Sequence, residues 1–139
     1  NYVKHAYPQT SLAGLYRAAS VALVTPLRDG MNLVAHEFIS CQDPDDPGVL
    51  ILSRFAGAAE LFPEALLVNP HNVEEVAAAL DKALSMSLRD RKTRWKALMK
   101  TVQEHTVDEW ASDFLTRLSE VPAWDRKAVR INAPTEAAE

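Results

Sequence analysis

The stretch Thr25-Pro26-Leu27-Arg28-Asp29-Gly30-Met31-Asn32-Leu33-Val34-Ala35-His36-Glu37 decides how the chain folds. It follows a short apolar run, Val21-Ala22-Leu23-Val24, that reads as a buried strand. It runs into an apolar-periodic segment that reads as a helix ending near Cys41, and the strongest turn signal of the chain, Asp29-Gly30, lies between the two. A strand that feeds a loop and then a helix N-terminus is a ready place for an anion. With Asn32 as the cap, Leu33 and Val34 offer backbone N–H groups that have no partner inside the helix. A phosphate there would meet those amides and the positive end of the helix dipole. Glu37 stands four residues after Leu33, on the same helical face, and side chains lean toward the helix N-terminus. Its carboxylate suits hydroxyl donors one unit away from a bound phosphate. A loop cap and a solvated helix residue would account for Asp29 and Glu37 equally well, since Asp-Gly loops are common.

Composition bounds the choices. The chain has 139 residues, 47% of them hydrophobic and 24% charged, with a formal net charge of −4. That length is one domain or part of one, and the charge argues against general nucleic-acid binding. No apolar run approaches a membrane span. No signal peptide is recognisable, and Cys41 is alone, so the expected compartment is the cytoplasm. Asn1 is not a natural start, and few strands are visible, so the chain reads as the C-terminal portion of a longer protein.

Around the central stretch the elements follow in order. Residues 1–8 alternate weakly in polarity, as the end of a strand does. Thr10 or Ser11 is placed to cap a helix that lays Leu12, Leu15, Tyr16 and Ala19 on a sheet. Asp43-Pro44-Asp45-Asp46-Pro47-Gly48 is a turn; its carboxylates also suggest a metal site, although prolines and aspartates are what a turn needs anyway. Val49-Leu50-Ile51-Leu52 reads as a strand covered on both faces. The small residues of Ser53-Arg54-Phe55-Ala56-Gly57-Ala58-Ala59 would let backbone approach a ligand, and Glu60-Leu61 would form a short helical turn. Residues 65–68 make a third strand, ended by Asn69-Pro70.

Asn72 then caps a helix with Glu74 and Glu75 in its first turn and a buried stripe of Val76, Ala77, Leu80, Ala83 and Leu84. Ser87 caps another helix to about His105, whose basic residues Arg89, Arg91, Lys92, Arg94, Lys96 and Lys100 read as a solvated face. Thr106 caps the last helix, where Trp110, Phe114 and Leu118 share one face for a core or for docking. From Pro122 the chain is polar and reads as a disordered tail, so the expected division is 1–120 and 121–139. His36-Glu37 opens a metalloprotease-like pattern, but Ser40 stands where the second histidine belongs. The glycines at 14, 30, 48 and 57 give neither a dinucleotide fingerprint nor a P-loop, and Cys41 reads as an inert core thiol.

The run from Leu23 to Ala35 with Glu37, together with Asp43-Pro44, Pro47-Gly48-Val49-Leu50-Ile51-Leu52-Ser53, Phe55-Ala56-Gly57-Ala58-Ala59 and Leu67-Val68-Asn69-Pro70, closely resembles the trehalose-6-phosphate synthases. These are retaining glycosyltransferases of family 20 with the GT-B fold. The resemblance covers roughly residues 12–118. It implies an α/β fold, here the C-terminal half of a Rossmann-like parallel-sheet domain with helices packed on a small sheet. It implies transfer of glucose from a nucleotide donor, usually UDP-glucose, to glucose-6-phosphate, with no metal and no cofactor. Asp29 would accept hydroxyls of the transferred glucose, with Gly30, Met31 and Asn32 lying against that sugar. Leu33 and Val34 would hold the diphosphate, and Glu37 the donor ribose. Asp29 is the residue placed closest to the chemistry. The implied partners are the nucleotide-sugar donor, the N-terminal acceptor domain of the same enzyme and, as an open option, a second copy; nucleic acid and membrane are not among them. The family's diphosphate-clamping arginine and lysine lie upstream, so this portion alone is expected to be inactive. His36 stands where the family usually has lysine and is expected to be a surface change. A non-catalytic nucleotide-sugar-binding or regulatory module, or a related transferase with another phosphorylated acceptor, is the alternative.

Overall fold

The structure, a computed structural model, describes residues 4–120. The expected disordered tail at 121–139 lies outside the described residues. Two compact units are present, Asn1–His105 and Thr106–Glu139.

The first unit is α/β. Its elements are α1 (Gln9–Ala18), β1 (Val21–Val24), α2 (Leu33–Cys41), β2 (Val49–Ser53), α3 (Ala58–Leu61), β3 (Leu66–Val68), α4 (Val73–Ser85) and α5 (Leu88–Glu104). The strands form one parallel sheet in the order β1-β2-β3, with Val21 opposite Val49 and Ile51 opposite Leu66. Every residue of the central strand β2 is buried, as its unbroken apolar run requires. Its side chains alternate between two cores. Leu50 and Leu52 point into one, with Ala35, Phe38 and Ile39 of α2 and Leu98 of α5. Val49 and Ile51 point into the other, with Leu66, Val68 and Ala83.

Caps read from the sequence close three of these helices. The Asn32 carboxamide oxygen accepts from the Ala35 amide at 3.0 Å, Asn72 does the same for Glu75 at 3.0 Å, and Ser87 for Asp90 at 3.2 Å. The first helix departs from expectation. It begins at Gln9, with Pro8 as its cap residue and no side-chain cap. The Pro8 carbonyl takes the Leu12 amide at 3.0 Å, so the preset proline φ starts the helix and Thr10 and Ser11 fall inside it. Its main packing partner is α2, with the sheet beyond. Residues 4–8 form no strand.

Two further expectations change. The buried stripe of α4 runs through Val76, Ala79, Leu80 and Ala83, while Ala77 and Leu84 face solvent. The residues that pack against β2 and β3 decide which positions are covered. The basic face of α5 is only partly solvated. Arg91 reaches the Pro47 carbonyl at 2.6 Å and Asp46 at 2.7 Å, Arg94 reaches the Glu64 carbonyl at 2.6 Å, and Lys92 lies 3.4 Å from Asp45. The third carboxylate of the acidic turn, Asp43, pairs with Arg17 at 2.7 Å. The turn is therefore neutralised by side-chain cations from α1 and α5. Trp95 of α5 donates its indole N–H to the Ile39 carbonyl at 3.0 Å, fixing α5 on α2.

The joint between α1, α2 and β2 is closely packed. Gln42 is only 3% exposed, yet both ends of its amide are paired, with the Tyr16 carbonyl and the Gly48 amide, each at 2.6 Å. A β-carbon on Gly48 would fall 2.5 Å from the Ala19 carbonyl oxygen and 3.0 Å from the Phe38 ring. The second unit contains α6 (Val107–Glu120), opened by a reciprocal capping box between Thr106 and Glu109. On it Trp110 stacks on Phe114 with centroids 5.4 Å apart, and Trp110, Phe114 and Leu118 are each more than half exposed.

Two outcomes follow. Gly48→Ala forces backbone apart at this joint and should lower unfolding free energy by about 1–3 kcal/mol, the usual range for overpacking, as read by chemical denaturation. The Asp43 carboxyl is held below its ordinary value, first by the Asp45 backbone amide and then by Arg17. A depressed carboxylate contributes stability above its unfolded value and loses it as pH falls through the folded one. Asp43→Asn should therefore flatten the loss of stability below about pH 4, measured as melting temperature against pH.

Candidate functional site

The site grows from the C-terminal ends of β1 and β2, the edge where open α/β sheets bind ligands. Beyond β1 the chain runs out to Asp29, and there its backbone pairs again with the loop after β2. The Asp29 amide donates to the Phe55 carbonyl at 3.4 Å and the Gly57 amide donates to the Asp29 carbonyl at 3.2 Å, an isolated parallel bridge centred on Ala56. A β-carbon on Gly57 would lie 2.9 Å from the Gly30 carbonyl oxygen. The small residues after β2, read as making way for a ligand, make way for the Asp29 loop.

The Asp29 carboxylate organises the turn. One oxygen accepts the Gly30 amide at 2.8 Å and the other the Asn32 side-chain amide at 2.6 Å. The turn's left-handed residue is Asn32, with φ 54° and ψ 77°, whereas Gly30 has no positive φ. Asparagine tolerates that region because its short amide bonds locally. The Asn32 carbonyl also accepts from Nδ1 of His36 at 3.2 Å. Ala35 is the first capped amide, and the amides of Leu33 and Val34 take no partner among the described residues. The side chains of Met31, Leu33 and Val34 stand exposed around them.

Glu37 lies one turn further and faces α1. The Tyr16 hydroxyl donates to its Oε2 at 3.2 Å. Both line an open groove of about 280 Å³ between α1 and α2, floored by Leu12 and Ala13 and walled by His36 and Cys41. Partial burial, then the hydrogen bond and charge of Glu37, push the Tyr16 hydroxyl above its ordinary value. Asp29, Gly30, Asn32 and the two free amides thus form one cluster. Glu37 belongs to the groove beside it, and no hydrogen bond joins it to the loop among the described residues.

Two sequence expectations are revised here, and one residue enters that the sequence did not single out. His36 is half-buried, meets Phe62 edge-on at 4.7 Å and walls the same groove as Glu37, so it is no surface bystander. Cys41 is a free thiol at intermediate exposure on that groove, outside the core. Tyr16 was legible only as one of four apolar-face residues of α1; a hydroxyl aimed across a helix pair leaves no mark in spacing. Among the described residues no group of three histidine, cysteine, aspartate or glutamate side chains is placed to hold a metal ion, and no helix is long and apolar enough to cross a membrane.

The fold is shared with known proteins. The trehalose-6-phosphate synthase of Sinorhizobium fredii is 53% identical over 118 residues, 85% of this chain and 25% of that protein. The Escherichia coli trehalose-6-phosphate synthase structure bound with UDP-2-fluoro glucose matches with a TM-score of 0.81 and 45% identity, covering 87% of this chain and 27% of that one. The UDP-forming α,α-trehalose-phosphate synthase of Burkholderia xenovorans, in complex with glucose-6-phosphate, matches with a TM-score of 0.81 and 48% identity, covering 85% and 26%. The chain spans about a quarter of the length of these relatives. Residues 1–120 match the profile of glycosyltransferase family 20, and the chain belongs to that family.

Proposed function

We propose that this chain is the donor-binding part of a UDP-forming α,α-trehalose-phosphate synthase that moves glucose from UDP-glucose to glucose-6-phosphate with retention. The observation that carries it is the helix N-terminus at α2, with two unpartnered amides beside the fixed Asp29 carboxylate, in a family 20 chain. The ligands named for the two matched structures are a UDP-sugar analogue and glucose-6-phosphate, the donor and acceptor chemistry this assignment needs.

In this assignment the Leu33 and Val34 amides hold the donor diphosphate. The backbone at Gly30, Met31 and Asn32 lies against the transferred glucose. Asp29 accepts from that sugar's hydroxyls: an ionised carboxylate has about four lone-pair sites, of which the turn uses two. Glu37 accepts from the ribose at the mouth of the α1–α2 groove. As the glycosidic bond to UDP breaks, negative charge builds on the leaving phosphate, and preorganised amides at the positive end of α2 stabilise it. The leaving phosphate takes the acceptor's proton, so no protein nucleophile and no metal or other cofactor is assigned. The rest of the enzyme contributes the acceptor domain and the diphosphate-clamping cations, residues 1–120 alone being inactive. The proposed compartment is the cytoplasm.

UDP release from UDP-glucose by the complete enzyme, with and without glucose-6-phosphate, is the deciding assay. Acceptor-dependent release is the expected result. UDP binding without release would point to a regulatory module, and absence of both would overturn the assignment. In the same enzyme Glu37→Ala should weaken UDP binding by about 1.5–3 kcal/mol, the scale of a hydrogen bond to a charged group; an unchanged affinity by calorimetric titration would take Glu37 out of the donor site.

A further inference from the structure

Tyr16 has no part in the roles assigned so far, yet it is the side chain that meets Glu37. The two residues are 21 apart in sequence and sit on different helices, and the phenol spans the groove to reach Oε2 at 3.2 Å. The phenol is itself held in place. Its ring meets the buried Phe38 edge-on, centroids 6.5 Å apart at 87°. Its own carbonyl accepts from Gln42, a residue buried and paired at both ends of its amide. Glu37 lacks such anchors. It is exposed, on a flexible stem, and Tyr16 is its hydrogen-bond partner among the described residues.

We propose that Tyr16 is a positioning residue for the nucleotide-sugar donor: its hydroxyl holds the Glu37 carboxylate across the α1–α2 groove in the orientation that receives the ribose hydroxyls. This deepens the donor role proposed for Glu37 and depends on it. The bond occupies one lone pair of Oε2 and leaves Oε1 whole for the ligand. Ordering a glutamate on binding costs rotamer freedom, and a partner already in place removes that cost from the binding step. The phenol keeps its proton through the neutral range, because burial and Glu37 both hold its titration above the ordinary value. The ribose is remote from the bond that breaks, so the effect belongs to binding of ground state and transition state alike, which moves KM and spares kcat.

The test is a double-mutant cycle in the complete enzyme, with Tyr16→Phe, Glu37→Ala and the pair. It reads KM for UDP-glucose, kcat, the Kd of UDP and the melting temperature. Phenylalanine keeps the ring against Phe38 and removes only the donor. Tyr16→Phe is expected to raise KM and the UDP Kd about three- to tenfold, to leave kcat within a factor of about two, and to add nothing in the Glu37→Ala background. A penalty that persists undiminished in that background, or one accompanied by a lowered kcat and melting temperature, overturns the positioning role. A neutral Tyr16→Phe beside a damaging Glu37→Ala also overturns it and leaves the donor assignment standing. A neutral Glu37→Ala removes both.

Discussion

Two backbone hydrogen bonds at Asp29 carry the geometry of the candidate site. They join the loop after β1 to the loop after β2 at a point where the strands themselves have already ended. The sheet is continued by one residue pair, and that pair fixes the height at which the turn 29–32 begins. Everything downstream is local. Asp29 holds Gly30 and Asn32, Asn32 adopts the left-handed region, and its carboxamide oxygen starts α2. The bridge needs Gly57, because any β-carbon there would press on the Gly30 carbonyl. A glycine on one loop is thus required by the backbone of the other.

Helix α2 is held from three sides by different chemistry. Its inner face, Ala35, Phe38 and Ile39, is apolar and sealed between the sheet and α5. Its last turn gives the Ile39 carbonyl to Trp95, and the following Gln42 ties α1 and Gly48 to its end. Its N-terminus is the end left open, apart from the Asn32 cap. A buried, well-anchored helix whose first amides face solvent is rigid where it is packed and unsatisfied where a ligand would come, and that combination is what preorganised binding requires.

Much of this was legible in residues 21–41. A four-residue apolar run, an Asp-Gly turn and an asparagine before an apolar-periodic segment have one economical reading, and β1, the loop and α2 follow it. The caps Asn72, Ser87 and Thr106 were equally plain, because each is a short polar side chain just ahead of a helical pattern. What stayed hidden depends on partners distant in sequence. The left-handed conformation of Asn32, tied to Asp29 by its side-chain amide, leaves no mark in the spacing of the turn. Arg91 and Arg94 looked solvated because the carbonyls they reach lie 44 and 30 residues away. That Ala79 is covered on α4 while Ala77 and Leu84 are exposed is settled only by where the sheet meets the helix. The Tyr16–Glu37 pair belongs to the same class: each residue is unremarkable on its own helix.

The charges of the proposed site carry a last consequence. Asp29 and Glu37 are exposed carboxylates beside the place where a diphosphate would lie, in a chain of net charge −4. Side-chain electrostatics of these two groups therefore oppose an anion. Each carboxylate oxygen of Asp29 is turned toward a donor of its own loop, and Glu37 is turned toward Tyr16 on α1. What faces the anion is the end of α2, whose amides carry partial positive charge that cannot titrate and need not reorient. In the proposed assignment the loop separates two functions in space: carboxylates would take hydroxyls to either side, and the helix terminus would take the phosphate between them. That separation rests on backbone geometry, so changes at Gly57 or Asn32, which leave every charge in place, should disturb the proposed donor site as surely as removal of a carboxylate.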